Sequence, residues 1–172
     1  IFIDNASTDN SVEFVRKNYH KVKVINNDTN NYCKAVNLGL KSASAEYIAL
    51  INNDMCLDGD WLIELVKVII KDKRVACVGS KVLTTGGRIQ NVGHYELPNF
   101  YWGERGAGQD RKKYNSIEEV ISLSGAAVLY RKKVFLEAGL FDEDFIMFGE
   151  DTDMAFRLRK IGYKLVFVPK SV

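Results

Sequence analysis

Apolar positions in the first half of the chain follow two alternating spacings. Residues 1–4, 22–26, 47–51 and 75–79 are short runs rich in Ile and Val, the composition of strands covered on both faces. Between them, residues 11–19 place Val12, Val15 and Tyr19 on one helical face. Residues 32–42 group Cys33, Val36 and Leu40, and residues 61–71 group Leu62, Leu65, Val66 and Ile69. The recurrence at i, i+3, i+4 and i+7 predicts amphipathic helices. Asn10 and Glu13 have the spacing of a capping box at the start of the first. Strand starts recur every 21 to 28 residues, a βαβαβαβ rhythm that predicts a parallel sheet with right-handed crossovers.

The rhythm breaks in the second half. Residues 81–84 and 89–93 flank Thr85-Gly86-Gly87-Arg88, a hairpin signal. Residues 94–115 are polar, Gly-rich and aromatic without a period, which predicts a long functional loop. Residues 126–130 read as a strand, and 132–138 as a short helix ended by Gly139. Residues 151–161 form a helical pattern with Met154, Leu158 and Ile161 in line, stopped by Gly162, and 164–168 read as a last strand.

The chain's 172 residues suit one domain, and a hydrophobic content of 47% with only two Pro excludes a disordered or collagen-like chain. The 24 basic residues nearly balance 22 acidic ones, for a net charge of +2. That is too even for a strong basic field, so no nucleic-acid partner is expected. No stretch reaches the roughly 20 apolar residues of a membrane span. Cys33, Cys56 and Cys77 are scattered and odd in number, which reads as reduced thiols in a cytoplasmic setting. The chain opens directly on a strand-like run without Met, so a longer parent protein, truncated here at its N-terminus, is expected.

In an open parallel sheet, ligands bind beyond the carboxyl ends of the strands. Those ends carry Asp4-Asn5-Ala6-Ser7-Thr8-Asp9, then Asn26-Asn27-Asp28-Thr29-Asn30-Asn31, then Asn52-Asn53-Asp54. Asn, Asp and Ser are also turn formers and helix caps, but three such ends on one edge favour a ligand site. A strand-end carboxylate at Asp54 suits Mg²⁺ or Mn²⁺, hard cations that take few protein oxygens and complete their shell with water and phosphate. His20 and His94 lack the spacing of a zinc site. A second acidic cluster, Glu150-Asp151-Thr152-Asp153, follows the apolar run Phe145–Phe148 at a predicted helix start. A carboxylate in the partly desolvated pocket that such a run predicts can serve as a general base.

These segments occur in the order and spacing of a known family. Asp4 to Asp9, Asn37-Leu38-Gly39, Ile51 to Asp54, Gly125, Gly139-Leu140-Phe141-Asp142-Glu143, Glu150 to Asp153 and Arg157-Leu158-Arg159 together resemble the family 2 glycosyltransferases of the GT-A fold, in particular the rhamnosyltransferase-like branch. The likeness covers essentially the whole chain as one catalytic domain; the family's first strand and helix, which normally precede Asp4, are absent. The resemblance implies an α/β, Rossmann-like fold with a mostly parallel central sheet and a small antiparallel addition.

The resemblance also implies roles. Asp4 matches the aspartate that contacts the nucleotide base, with Asn5, Ser7, Asn31, Asn37, Asn52 and Asn53 on the nucleotide-sugar side. Asp54 matches the last position of the family's Asp-X-Asp metal motif, in which Asn52 replaces the first Asp. Asp151 matches the catalytic base, with Glu150 supporting it. Ser124, Gly125, Trp102 and Asp153 fall on the acceptor side, and Phe100 and Tyr101 are further rings able to stack on sugars. The implied activity is inverting transfer of a hexosyl unit from a nucleotide-diphospho-sugar to a saccharide or lipid-linked saccharide in surface polysaccharide synthesis. It would use Mn²⁺ or Mg²⁺ in the cytoplasm, at the inner face of a membrane reached through regions outside this chain. Two alternatives stay open: a sugar-phosphate nucleotidyltransferase, whose Gly-rich basic loop is not visible here, and a non-catalytic nucleotide-sugar or glycan-binding module.

Overall fold

The computed structural model describes residues 1–172, all but the side chain of Phe100, so the stacking expected of that ring lies outside the described residues. The chain divides into two compact units, residues 1–45 with 139–150 and residues 46–138 with 151–172.

The first unit is built on β1 (Phe2–Asn5), α1 (Ser11–Asn18), β2 (Val24–Asn27) and α2 (Tyr32–Ser42). Strands β1 and β2 pair in parallel, with Phe2 opposite Val24 and Asn5 opposite Asn27. Helix α2 buries Cys33, Val36 and Leu40 as its periodicity requires, and Asn37 with them. Helix α1 is held less firmly: Val12 and Val15 are half-buried, and Tyr19 is exposed beyond its last turn, edge-on to Phe14 with ring centroids 6.1 Å apart. The expected capping box does not form. Asn10 has φ −84° and ψ 16° and makes no side-chain cap bond, because an N-cap side chain reaches back only from an extended backbone. Asp9 turns the chain instead, accepting the Ser11 N–H at 3.0 Å.

The second unit holds β3 (Tyr47–Ile51), α3 (Trp61–Ile69), β4 (Val75–Ser80), β5 (Val82–Leu83), β6 (Ile89–Asn91), β7 (His94–Glu96), β8 (Trp102–Glu104), β9 (Glu118–Val120), β10 (Ala127–Arg131), α4 (Lys132–Glu137), α5 (Glu150–Lys160) and β11 (Lys164–Val168). Its five-stranded sheet has the order β3-β10-β4-β11-β9. Strand β10 runs antiparallel to both neighbours, β11 is parallel to β4, and β9 is antiparallel to β11. Strands β3, β4 and β11 therefore share one direction, and β10 and β9 oppose it.

The α/β class stands, but the expected continuous parallel ladder of the first four strands is corrected. Strands β1 and β2 form a pair of their own, and β10 separates β3 from β4. The α3 crossover does return β4 in the direction of β3, as a βαβ unit requires. A later strand then fills the gap. The hairpin expected after residue 80 is β5–β6. The expected loop at 94–115 instead opens with a second hairpin, β7–β8, pairing His94 with Glu104 and Glu96 with Trp102.

Helix α3 lays Trp61, Leu65 and Ile69 against Val75, Val78, Leu129 and Val166. Of the expected face, Leu65 and Ile69 are buried and Val66 packs on the same core, while Leu62 is exposed and Trp61 fills the first turn in its place. Each fully buried aliphatic of this size contributes about 1.5–3 kcal/mol. Gly139 and Gly162 have φ of +100° and +91°; they stop α4 and α5 in the left-handed conformation that costs glycine least. Among the described residues, no helix is long and apolar enough to cross a membrane.

Candidate active site

In the first unit, β1 and β2 end in a web of amides. Asn27 Nδ2 donates to Asn5 Oδ1 at 2.8 Å and to the Thr29 carbonyl at 2.6 Å. The Asn31 N–H reaches Asn5 Oδ1 at 3.1 Å, and Asn5 Nδ2 donates to Asn30 Oδ1 at 3.0 Å. Asn31 also caps α2, its Oδ1 accepting the Lys34 N–H at 2.9 Å. Its Nδ2 donates to the Glu143 carbonyl at 2.9 Å. These amides fold the loop after β2 over the end of β1. Asn27, one of the strand-end amides expected at this edge but given no role of its own, is buried as the hub; its position opposite Asn5 in the parallel register is the signal that could have assigned it.

Asn37 is turned to a different use from the nucleotide contact expected of it. It is 2% exposed, donates to the Phe141 carbonyl at 2.9 Å and to Glu143 Oε1 at 3.0 Å, and accepts the Phe141 N–H at 3.0 Å. Both amide hydrogens are consumed in tying α2 to residues 141–143. Asp4 differs. It is 6% exposed; Oδ2 accepts the Ser7 N–H at 3.4 Å, and Oδ1 is buried without a partner. An unpaired buried acceptor costs roughly 1–3 kcal/mol. Ser7 stands exposed beside it.

The segment before the acidic cluster is under backbone strain. Ile146 and Phe148 have φ of +59° and +69°, a conformation that costs bulky residues about 1–3 kcal/mol. The Ile146 carbonyl accepts the N–H groups of Tyr32 at 2.9 Å and Cys33 at 3.4 Å, satisfying two of the orphan donors of α2. Phe145 is 39% exposed and Phe148 82%, so these rings do not form the desolvating wall expected of them. Glu150 is buried at 7% exposure. Burial pushes the Cys33 thiol up to about 11, with the charges of Glu150, Asp142 and Glu143 adding to it.

In the second unit, Asn52-Asn53-Asp54 leaves β3 at the edge where β10 begins. The Asn52 N–H donates to the Ala126 carbonyl at 2.9 Å, and the next amide upstream, Gly125 N–H, donates to Asp151 Oδ2 at 3.1 Å. Asp151 Oδ1 accepts the Thr152 N–H at 2.7 Å. The half-buried Asp151 is thus oriented by two backbone donors at the start of α5, where the helix dipole favours an anion. Each of its oxygens keeps a lone pair. Gly125, expected to approach the acceptor, orients this carboxylate. Ser124 Oγ accepts the Ala126 N–H at 3.4 Å.

Asp153 is committed to Arg157 through one of its oxygens. Arg157 grips its Oδ2 through Nε at 2.9 Å and Nη2 at 2.6 Å, and holds the Ala138 carbonyl through Nη1 at 2.6 Å. Trp102 is half-buried in β8, a hairpin tied towards residue 124 by the His94 N–H to the Ser122 carbonyl at 3.1 Å. Asn53 and Asp54 are exposed. Among the described residues no cluster of three His, Cys, Asp or Glu could hold a metal. The donor set at this edge is one open carboxylate flanked by amides. That suits Mg²⁺ or Mn²⁺, which take one or two carboxylates and complete their shell with phosphate and water.

Comparison with known proteins follows this geometry. The sequence profile described as "Glycosyl transferase family 2" matches residues 1–139. The O-antigen biosynthesis protein RfbC of Myxococcus xanthus is 31% identical over 144 residues, 79% of this chain and 11% of that protein. The poly-beta-1,6-N-acetyl-D-glucosamine synthase of Staphylococcus epidermidis is 23% identical over 183 residues, all of this chain and 41% of that protein. The chain thus spans less than half of the length of these relatives. Among solved structures, GalNAc-T7 with UDP, GalNAc and Mn²⁺ superposes with a TM-score of 0.76 at 20% identity, over 97% of this chain and 35% of its own. The Pyrobaculum calidifontis mannosyltransferase PcManGT, with GDP-Man and Mn²⁺, gives 0.70 at 19%, over 99% and 45%. These likenesses establish a shared fold.

Proposed function

The chain belongs to glycosyl transferase family 2, and from that premise we propose that it carries the catalytic machinery of an inverting hexosyltransferase acting on a nucleotide-diphospho-sugar. The acceptor is a saccharide or lipid-linked saccharide of a growing polysaccharide, a reading supported by the names of the O-antigen and poly-N-acetylglucosamine relatives. The work would take place on the cytoplasmic side of a membrane.

The observation that carries this reading is the coupling of Asn52-Asn53-Asp54 to Asp151 through consecutive residues, Ala126 and Gly125. A single displacement needs one charge stabiliser for the leaving diphosphate and one base for the attacking hydroxyl, and no carboxylate nucleophile. Asp151, its orientation fixed by the Gly125 and Thr152 N–H groups, accepts the proton of the acceptor hydroxyl. The hydroxyl oxygen bonds to the anomeric carbon as the bond from that carbon to the diphosphate oxygen breaks. The nucleoside diphosphate departs with the electron pair, and configuration inverts. In the first unit, Asp4 presents its unpaired oxygen to an N–H of the nucleobase, with Ser7 as a further polar contact. Asn5 and Asn31 shape that end indirectly by fixing the loop. Asp54 would hold a divalent cation, Mn²⁺ or Mg²⁺, which would neutralise the diphosphate charge. Glu150 borders the base along the chain.

The test is calorimetric titration of the chain with UDP and GDP, with Mn²⁺ and with chelator. Metal-dependent binding of at least one nucleotide is expected; absence of binding to both contradicts the reading.

A further inference from the structure

Behind the edge that carries Asp54 lies a buried polar node. Ser80 and Ser171 are 5% and 0% exposed, and their hydroxyl oxygens are 3.0 Å apart. Trp61 Nε1 donates to Ser80 Oγ at 2.6 Å, Ser80 Oγ donates to the Ala127 carbonyl at 3.0 Å, and Ser171 Oγ donates to the Trp61 carbonyl at 3.0 Å. Backbone bonds extend the node: Lys81 N–H to the Ser171 carbonyl at 2.8 Å, and Asp58 N–H to the Val172 carbonyl at 2.9 Å. A core of this depth admits polar groups only when they are satisfied, and apolar residues would fill the same space without that demand.

The bonds close a ring around the loop between β3 and α3. Starting at Asn52, the ring passes to Ala126, to its neighbour Ala127, through Ser80 to Trp61, and back through Asp58. Ser171 Oγ lies 3.0 Å from Ser80 Oγ and donates to the Trp61 carbonyl. Within the ring, Met55 and Leu57 pack on the core, and Asp54 is the exposed carboxylate. Among the described residues, no side-chain hydrogen bond or ion pair holds Asp54. Its position is set by the two ends of its loop.

We infer that Ser171, with Ser80 and Trp61, is a positioning device that fixes the Asp54 loop against the start of β10 and so pre-organises the metal-side carboxylate. This rests on the reading of Asp54 as that carboxylate. The node touches neither substrate nor cation; it acts through the loop. Removing the Ser171 hydroxyl breaks its bond to the Trp61 carbonyl and loosens one end of the ring. The consequence is specific: metal-dependent affinity falls, and metal-independent affinity does not.

The experiment compares Ser171→Ala and Trp61→Phe, which removes the indole donor but keeps an aromatic ring, with Ile69→Val as a core control of similar stability loss. Amide exchange at residues 52–60 and titration with UDP and GDP are measured on each, with Mn²⁺ and with chelator. In Ser171→Ala and Trp61→Phe, exchange at 52–60 should accelerate selectively. Their affinity in Mn²⁺ should weaken roughly tenfold, the factor carried by one lost buried hydrogen bond, with affinity in chelator unchanged. Ile69→Val should change neither. Unchanged exchange at 52–60 in both variants, equal effects in Ile69→Val, or faster exchange with intact Mn²⁺-dependent affinity would each overturn the proposal. If the native chain binds neither nucleotide, the functional reading falls, and the exchange at 52–60 still decides whether the node positions the loop.

Discussion

The backbone N–H of Gly125 donates to Oδ2 of Asp151 at 3.1 Å. Two elements distant in the chain are joined by that bond, the approach to β10 and the first turn of α5. Because the Ala126 carbonyl beside it receives the Asn52 N–H, the loop bearing Asp54 and the carboxylate read as the base are referenced to the same two residues. A displacement reaction needs its leaving-group stabiliser and its base held in fixed relation, since small misplacements are costly in rate.

Asp54 is exposed, so its side chain contributes little to folding, and surface substitutions of this kind stay within about 0.5 kcal/mol. Asp54→Ala should unfold in urea like the native chain and lose Mn²⁺-dependent nucleotide binding. Full retention of that binding would remove Asp54 from the metal side.

Asn37→Ala should act on stability first. It removes the bonds that Asn37 makes to the Phe141 N–H and carbonyl, and a buried polar group that loses its partner costs roughly 1–3 kcal/mol. A fall in unfolding free energy of about 2 kcal/mol or more is expected in urea titration. Unchanged stability with weakened nucleotide binding would restore the direct contact first expected of this residue.

The thiols should separate by access. Cys33 is buried and pushed up to about 11, so it stays protonated at pH 8, whereas Cys56 is exposed. Iodoacetamide at pH 8 should label Cys56 and spare Cys33 in the folded chain, because the reagent cannot reach Cys33 and the thiolate is the nucleophile. The folded pKa of Cys33 lies above its ordinary value of 9.0, so its contribution is complete below pH 9 and is lost as pH rises towards 11. Mass spectrometry of the labelled chain checks the first point, and urea melts from pH 8 to 11 check the second. Rapid labelling of Cys33 at pH 8 would contradict both.

Much of this was legible in the residues, for reasons visible element by element. The helices α2, α3 and α5 announce themselves because each buries one periodic face, and β3, β4 and β11 because each is a continuous apolar run. Strands β7, β8 and β9 do not, since three residues are too few to show a period and their sequences are polar or aromatic. The placement of β10 between β3 and β4 was hidden because strand order is decided by pairing across the chain, which local pattern does not encode. Asp54 and Asp151 stand where the pattern placed them, just beyond β3 and in the first turn of α5. Asn31 and Asn37 were read as ligand contacts because an amide that caps a helix and one that meets a nucleotide look alike in sequence. The Ser80–Ser171 pair, 91 residues apart, left no local signal.

The most direct measurement is the rate of sugar transfer by Asp151→Asn, set beside that of the native chain on the same nucleotide sugar. The amide keeps the shape of the carboxylate and can still accept the Gly125 N–H, but it takes up no proton. Removing a positioned general base costs about 10²- to 10⁴-fold. The account predicts intact folding, intact nucleotide binding and transfer at least roughly 100-fold slower, the low end of that range. Transfer at a near-native rate by Asp151→Asn would contradict it.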